Sequence, residues 1–161
     1  ARSIAIHPDE KEFAVGYSDH TIRIYNATDF SLKSTLSGHS NSVFTVKYSP
    51  DGKRLLSAGR DAHLKIWDAT SYELLNDIVA HTYAINDVVY NPKGTHFATC
   101  SMDKSIKVWD AESEKLLKVI DKSRHAGHGT SVNKLLWSDF NNQLISASDD
   151  RQISVWDIIL P

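Results

Sequence analysis

From Val43 onward, apolar and polar positions alternate with a period of two over short runs. Turn-forming clusters such as Ser49-Pro50-Asp51-Gly52 and Asn91-Pro92-Lys93-Gly94 separate the runs. The pattern predicts strands near residues 43 to 48, 54 to 58, 63 to 68 and 73 to 79. In the third of these, Leu64 and Ile66 point one way while Lys65 and Trp67 point the other, and Ile106, Val108 and Trp109 repeat the arrangement. Bulk therefore lies on both faces. A small sheet that is apolar on both sides has to be stacked between neighbours to be stable in water.

The same unit recurs along the chain. His39, His81 and His128 are each followed 18 residues later by a hydroxyl (Ser57, Thr99, Ser146), 22 later by an Asp (Asp61, Asp103, Asp150) and 28 later by a Trp (Trp67, Trp109, Trp156). A register held by four residue types at a period in the forties is the signature of a repeat architecture. The first 37 residues form an earlier copy without the His. There Pro8 matches Pro50 and Pro92, Asp19 matches Asp61, Tyr25 takes the Trp position and Val15 stands where the hydroxyl belongs. The units are residues 1–37, 38–79, 80–121 and 127–161, and each reads as a four-stranded antiparallel meander. The fourth stops at Trp156-Asp157-Ile158-Ile159-Leu160-Pro161, before an outermost strand equivalent to residues 73 to 79.

The segments Gly38-His39, Ile66-Trp67-Asp68, Val108-Trp109-Asp110, Gly127-His128 and Val155-Trp156-Asp157 resemble the GH and WD signatures of the WD-repeat β-propeller family. The resemblance spans essentially the whole chain. It departs at Tyr25-Asn26 in the first copy, at Ala80 before His81, and at the weak turn Ser138-Asp139-Phe140 in the fourth. It implies an all-β fold of propeller blades: three complete, and a fourth lacking its outermost strand. Four blades are fewer than the seven or eight usual in that family, so the outer faces of the first and fourth are expected to expose apolar surface. The chain begins without Met at an innermost strand, and the expectation is the carboxyl-terminal part of a longer propeller. Upstream sequence, a second copy or a complementary fragment would supply the missing blades.

In proteins similar to this one, the recurring groups form a hydrogen-bond chain inside each blade. That assigns a bracing role to His39, Ser57, Asp61 and Trp67, to His81, Thr99, Asp103 and Trp109, and to His128, Ser146, Asp150 and Trp156. Ser, His and Asp also compose a hydrolase triad. Here the set occurs three times, carries a Trp that a triad does not need, and lacks a Gly-x-Ser-x-Gly elbow around Ser57 or Ser146. No catalytic residue is assigned.

Composition narrows the function further. Eighteen Lys+Arg against twenty Asp+Glu leave a formal charge of −2, so no global basic field points to nucleic acid. No apolar run is long enough to cross a membrane as a helix, and the amino end lacks the core of a secretion signal. The single cysteine, Cys100, excludes an internal disulfide and a Cys-based zinc cluster, suits an intracellular, cytoplasmic setting, and reads as packing. His125 and His128 have no visible third ligand, so no metal and no cofactor is expected.

Propellers that resemble this chain bind partners on the face made by the loops entering the innermost strand and those joining the second and third strands. On that face the residues that differ between copies include Asn41, Arg60, Tyr83, Met102, Thr130 and Asp149. Arg60, Tyr83 and Met102, if close together, compose a hot-spot set for a peptide. The longer linker 121–127 adds Arg124 and cationic character. Lys65, Lys107 and Arg23 read as a solvated or snorkelling column rather than a phosphate track, and Thr45, Asp87 and Lys134 as lining a water-filled channel. The function expected is a protein–protein interaction scaffold for peptides or protein domains. The alternatives are an enzyme working at the central mouth and a reader of modified peptides.

Overall fold

The computed structural model describes residues 1–160. Among them the chain forms four antiparallel sheets, three of four strands and one of three, each a meander whose neighbours in space are neighbours in sequence. The first sheet is β1 (Ser3–Ile6), β2 (Glu12–Gly16), β3 (Ile22–Asn26) and β4 (Leu32–Leu36); the second is β5 (Val43–Tyr48), β6 (Arg54–Gly59), β7 (His63–Asp68) and β8 (Leu74–Val79). The third is β9 (Ile85–Tyr90), β10 (His96–Ser101), β11 (Ile106–Asp110) and β12 (Leu116–Ile120). The short helix α1 (Lys122–His125) leads to the fourth: β13 (Val132–Trp137), β14 (Leu144–Ser148) and β15 (Ile153–Trp156). This is the blade architecture expected, with strand limits in the second copy within a residue of those read from alternation.

The repeat extends to backbone detail. The turn joining the second and third strands places the residue after its Asp in the left-handed region every time: His20, Ala62, Lys104 and Arg151, with φ of 73°, 65°, 74° and 66°. The Asp carboxylate makes this turn affordable to a non-glycine residue by accepting the backbone N–H two positions on, from Thr21, His63, Ser105 and Gln152 at 3.0–3.2 Å. A bulge precedes each aromatic of the third strand in the first three sheets, between Ile24 and Tyr25, Ile66 and Trp67, and Val108 and Trp109.

The chain divides into two compact units, residues 1–85 and 86–161. In the first, Ala14, Ile22, Ile24 and Leu36 of the first sheet bury against Val46, Tyr48, Leu55 and Trp67 of the second. In the second, Ala98, Ile106, Val108 and Ile120 bury against Leu135, Trp137, Leu144 and Trp156. Buried area of this kind contributes roughly 25 cal/mol per Å² and is the main stabilising term of each unit. Cys100 lies within the second core, fully buried, and burial pushes its thiol well above the ordinary range.

Two expectations are corrected. Lys65 is not a solvated cation: it is 3% exposed and its ammonium is bound by Asp77 of β8, which also accepts from or pairs with His63 Nδ1 at 2.6 Å. The reason is that β8 sets the Asp77 carboxylate directly across from Lys65 in the sheet. Lys107 is half-buried, and Arg23 pairs with Asp19 at 2.5 Å while its guanidinium lies 4.2 Å over the Tyr17 ring. Nor do Thr45 and Asp87 line open water; they are 2% and 8% exposed. Bulges between Val43 and Thr45 in β5, and between Val132 and Lys134 in β13, break the alternation on which the channel assignment rested. Asp87 instead accepts the Leu135 N–H at 3.1 Å, with the exposed Lys134 ammonium 3.6 Å away.

Candidate functional site

Both complete sets of recurring polar groups whose contacts follow are closed chains. In the second sheet, Trp67 Nε1 donates to Ser57 Oγ at 2.8 Å, Ser57 Oγ lies 2.8 Å from His39 Nε2, and His39 Nδ1 lies 2.8 Å from Asp61 Oδ2. One proton arrangement satisfies every atom: the indole donates to the hydroxyl, the hydroxyl to Nε2, and Nδ1–H to the carboxylate. Asp61 is held further by the Ser40 N–H at 3.0 Å. Burial acts to raise the Asp61 carboxyl, but the bonds from His39 and the backbone outweigh it and hold it below the usual range. The fourth sheet repeats the chain through Trp156, Ser146, His128 and Asp150 at 2.8, 2.8 and 2.9 Å, with Gly129 N–H in the place of Ser40. In the third sheet Trp109 Nε1 donates to Thr99 Oγ1 at 3.0 Å, His81 is 3% exposed, and Asp103 accepts from Ser105.

These geometries bear on the triad question directly. Ser57 and Ser146 are 0% and 1% exposed, so neither hydroxyl can meet a substrate carbonyl. The hydroxyl lone pairs face an indole N–H, which a nucleophile in a triad does not carry.

The first sheet lacks the His and the hydroxyl and solves the same problem differently. Tyr17 and Tyr25 hydroxyls meet at 2.9 Å, and Arg23 bridges the Tyr17 ring and Asp19. The Tyr25 hydrogen bond raises the Tyr17 phenol above its ordinary value.

The loop residues fall into local groups. In the first unit, Asn41 Oδ1 accepts the Ser42 N–H at 2.9 Å, and the exposed Arg60 donates its own N–H to the Ser42 carbonyl at 2.9 Å. Ser42 Oγ donates to the Ser18 carbonyl at 3.2 Å, and Ser18 Oγ accepts from Arg2 Nε at 3.0 Å. This serine bridge joins the turns of two blades and brings a second arginine to the same edge as Arg60. Tyr83 is 64% exposed. In the second unit, Met102 is 52% exposed; Thr130 Oγ1 lies 3.0 Å from Ser148 Oγ, and Asp149 accepts from Asn133 Nδ2 at 2.5 Å. Asn86 Nδ2 completes that group by donating to Ser131 Oγ and the Val132 carbonyl at 3.0 and 2.8 Å. Arg124 sits on α1, 3.8 Å from Asp121, the residue that caps the helix. Sequence reasoning named Asn41, Arg60, Thr130 and Asp149. It missed Arg2, Asn86 and Asn133, which with Phe44 occupy one equivalent repeat position whose residue type changes from copy to copy, so that the position rather than the residue was the available signal.

A further polar centre lies between the first two sheets. Glu12, 6% exposed, accepts from Tyr48 at 3.0 Å and Tyr72 at 2.7 Å, and binds the Lys33 ammonium. Burial acts to raise its carboxyl; the bonds from Lys33, Tyr72 and Tyr48 outweigh it and leave the group below the ordinary carboxylate value. Burial beside Glu12 in turn pushes the Tyr48 phenol far up.

The family model described as "WD domain, G-beta repeat" matches four stretches of the chain, residues 1–26, 30–68, 72–110 and 118–157. No curated protein matches it. Among the described residues no helix is long and apolar enough to cross a membrane.

Proposed function

From the premise that this chain belongs to the WD-repeat family, whose repeats generally mediate protein–protein interaction, we propose that it is an interaction scaffold. Its loops take peptides or protein domains, with Arg60 and Tyr83 as anchors in the first compact unit and Met102 as an anchor in the second. Asn41 in the first unit, and Thr130, Asp149 and Arg124 in the second, supply polar contacts beside them. In this reading the His, hydroxyl, Asp and Trp sets brace the blades and take no part in recognition, and the protein works inside the cell, where a buried thiol such as Cys100 stays reduced.

One contrast carries the proposal. His39, Ser57 and Asp61 are consumed in one buried chain, whereas Tyr83 and Met102 keep more than half their surface in water. A Tyr side chain has only two rotatable bonds and buries a large contact area at low entropic cost, and a Met adapts its shape to the surface that covers it. The test is capture of partners from cell extract by the wild-type chain and by the triple variant Arg60→Ala, Tyr83→Ala, Met102→Ala. Loss of partners with an unchanged melting temperature is the expected result. Full retention of the same partners would move recognition off the loop face.

A further inference from the structure

In the first unit, two turns from neighbouring sheets are locked together, and an exposed arginine stands on each side of the lock. Val43 N–H donates to the Tyr17 carbonyl at 3.0 Å, Ser42 Oγ to the Ser18 carbonyl at 3.2 Å, and Arg60 N–H to the Ser42 carbonyl at 2.9 Å. Arg2 joins the same loop edge at the start of β1, its N–H held by the Gly16 carbonyl at 2.8 Å. Its guanidinium donates from Nε to Ser18 Oγ at 3.0 Å and lies 5.4 Å over the Phe44 ring. These two contacts hold the fork in place and leave its terminal nitrogens without a partner among the described residues.

Neither Arg2 nor Arg60 pairs with a carboxylate among the described residues, although carboxylates stand in the same turns. Asp19 is taken by Arg23 and Thr21, and the buried Asp61 by His39 and the N–H groups of Ser40 and His63. Arg23, Lys33 and Lys65 are each neutralised within the unit. The repeat supplies a comparison. The places of Arg2, Phe44 and Arg60 are held in the second unit by Asn86, Asn133 and Asp149. There the side chains satisfy one another, Asn86 Nδ2 donating to Asn133 Oδ1 at 3.4 Å and Asn133 Nδ2 to Asp149 Oδ1 at 2.5 Å. Two guanidinium groups are donors only and cannot do so. The same framework that closes on itself in the second unit leaves, in the first, two cations whose acceptors must come from outside.

We propose that this edge of the first unit binds an acidic segment of a partner protein, with Arg2 and Arg60 each engaging an Asp or Glu carboxylate and Phe44 backing the Arg2 fork. The proposal rests on the reading of the chain as an interaction scaffold and adds the chemistry of what the loops take. A guanidinium held in one plane meets a carboxylate through two parallel bonds, which a neutral side chain cannot match. A polynucleotide would need a track of cations along its backbone, whereas this edge offers two arginines beside Asp19 in a chain of formal charge −2.

A random-peptide phage library panned on the full 161-residue chain tests this. The recovered peptides are expected to be enriched in Asp and Glu. A recovered set without that enrichment would overturn the acidic partner and leave the scaffold reading standing, whereas a library that yields no binder would count against the scaffold reading and take the proposal with it. The tightest binder, labelled with fluorescein, is then titrated by anisotropy. Arg2→Gln and Arg60→Gln should each weaken it about tenfold or more, and the wild-type affinity should fall as salt is raised. Circular dichroism checks the fold; Arg2→Lys and Arg60→Lys, which keep the charge and lose the fork, replace any variant that fails to fold and should still weaken binding. An affinity left unchanged by substitution of either arginine would overturn the proposal. So would an oligothymidylate that displaces the labelled peptide at lower concentration than the unlabelled peptide does.

Discussion

Ser57 meets two nitrogen-bearing rings at once, so its hydroxyl is the most exacting atom in the second blade. Replacing it by Ala strands the Trp67 N–H and leaves His39 Nε2 without its partner, both away from water. An unsatisfied buried polar group costs about 1–3 kcal/mol, and the expected loss for Ser57→Ala is in that range, read from urea denaturation. An unchanged midpoint would mean that the chain braces nothing. Glu12 carries a pH signature. Its carboxyl titrates lower in the folded protein than its ordinary 4.5, so the unfolded chain binds the proton more readily. The stabilisation is complete above that ordinary value and is lost as pH falls through the lowered folded value. Asp61 and Asp77 act with the same sign. The melting temperature should therefore drop on acidification below about 4.5, and Glu12→Gln should lower it at neutral pH while flattening the acid slope. A slope as steep in Glu12→Gln as in the wild type would assign the acid sensitivity elsewhere.

At the scale of the strand, what matters is how closely backbones approach and which charges a sheet can hold. Gly59 ends β6 against Val43, and a Cβ there would come within 2.1 Å of the Ser42 carbonyl oxygen and 2.9 Å of Val43 Cα. Both are backbone atoms and cannot swing aside. Gly59→Ala should cost about 1–3 kcal/mol through forced separation of β5 and β6, and the amides of Val43 and Arg60 should exchange faster with solvent. The Lys65 and Asp77 pair sets up an asymmetry. Asp77→Ala leaves a buried ammonium with no carboxylate, whereas Lys65→Met removes the buried charge and leaves Asp77, a third exposed, with His63 and water. Removing the carboxylate should cost up to about 3 kcal/mol, the low end for a broken buried pair because Asp77 reaches water, and the Met variant should cost less. Chemical denaturation of both variants orders them, and the reverse order would mean that Lys65 is stabilised by its packing alone.

At the scale of the whole molecule, each of the two compact units holds one buried blade-to-blade junction, and the two junctions are built from equivalent residues. Ile22 and Ile106 hold the same place in them and are fully buried. Ile22→Ala and Ile106→Ala should each cost about 2–5 kcal/mol, read from urea denaturation. An unchanged midpoint in either variant would mean that its junction adds nothing to stability.

The repeat itself lay open in the amino-acid order. Period-two alternation, turn clusters and evenly spaced His, hydroxyl, Asp and Trp residues are local or strictly periodic signals, and they determined the blades and their strands. Aperiodic features were decided by the tertiary structure alone. Glu12, Lys33, Tyr48 and Tyr72 are far apart in sequence and form one centre only where two sheets pack. Lys65 reads as a surface lysine until β8 places Asp77 across from it. Thr45 and Asp87 turn inward because bulges shift the phase of the strands or because a backbone N–H of the next sheet claims the carboxylate. A side chain's type follows from its codon, but its burial and its partner follow from which neighbouring strand arrives beside it, and that is settled only when the sheets stack.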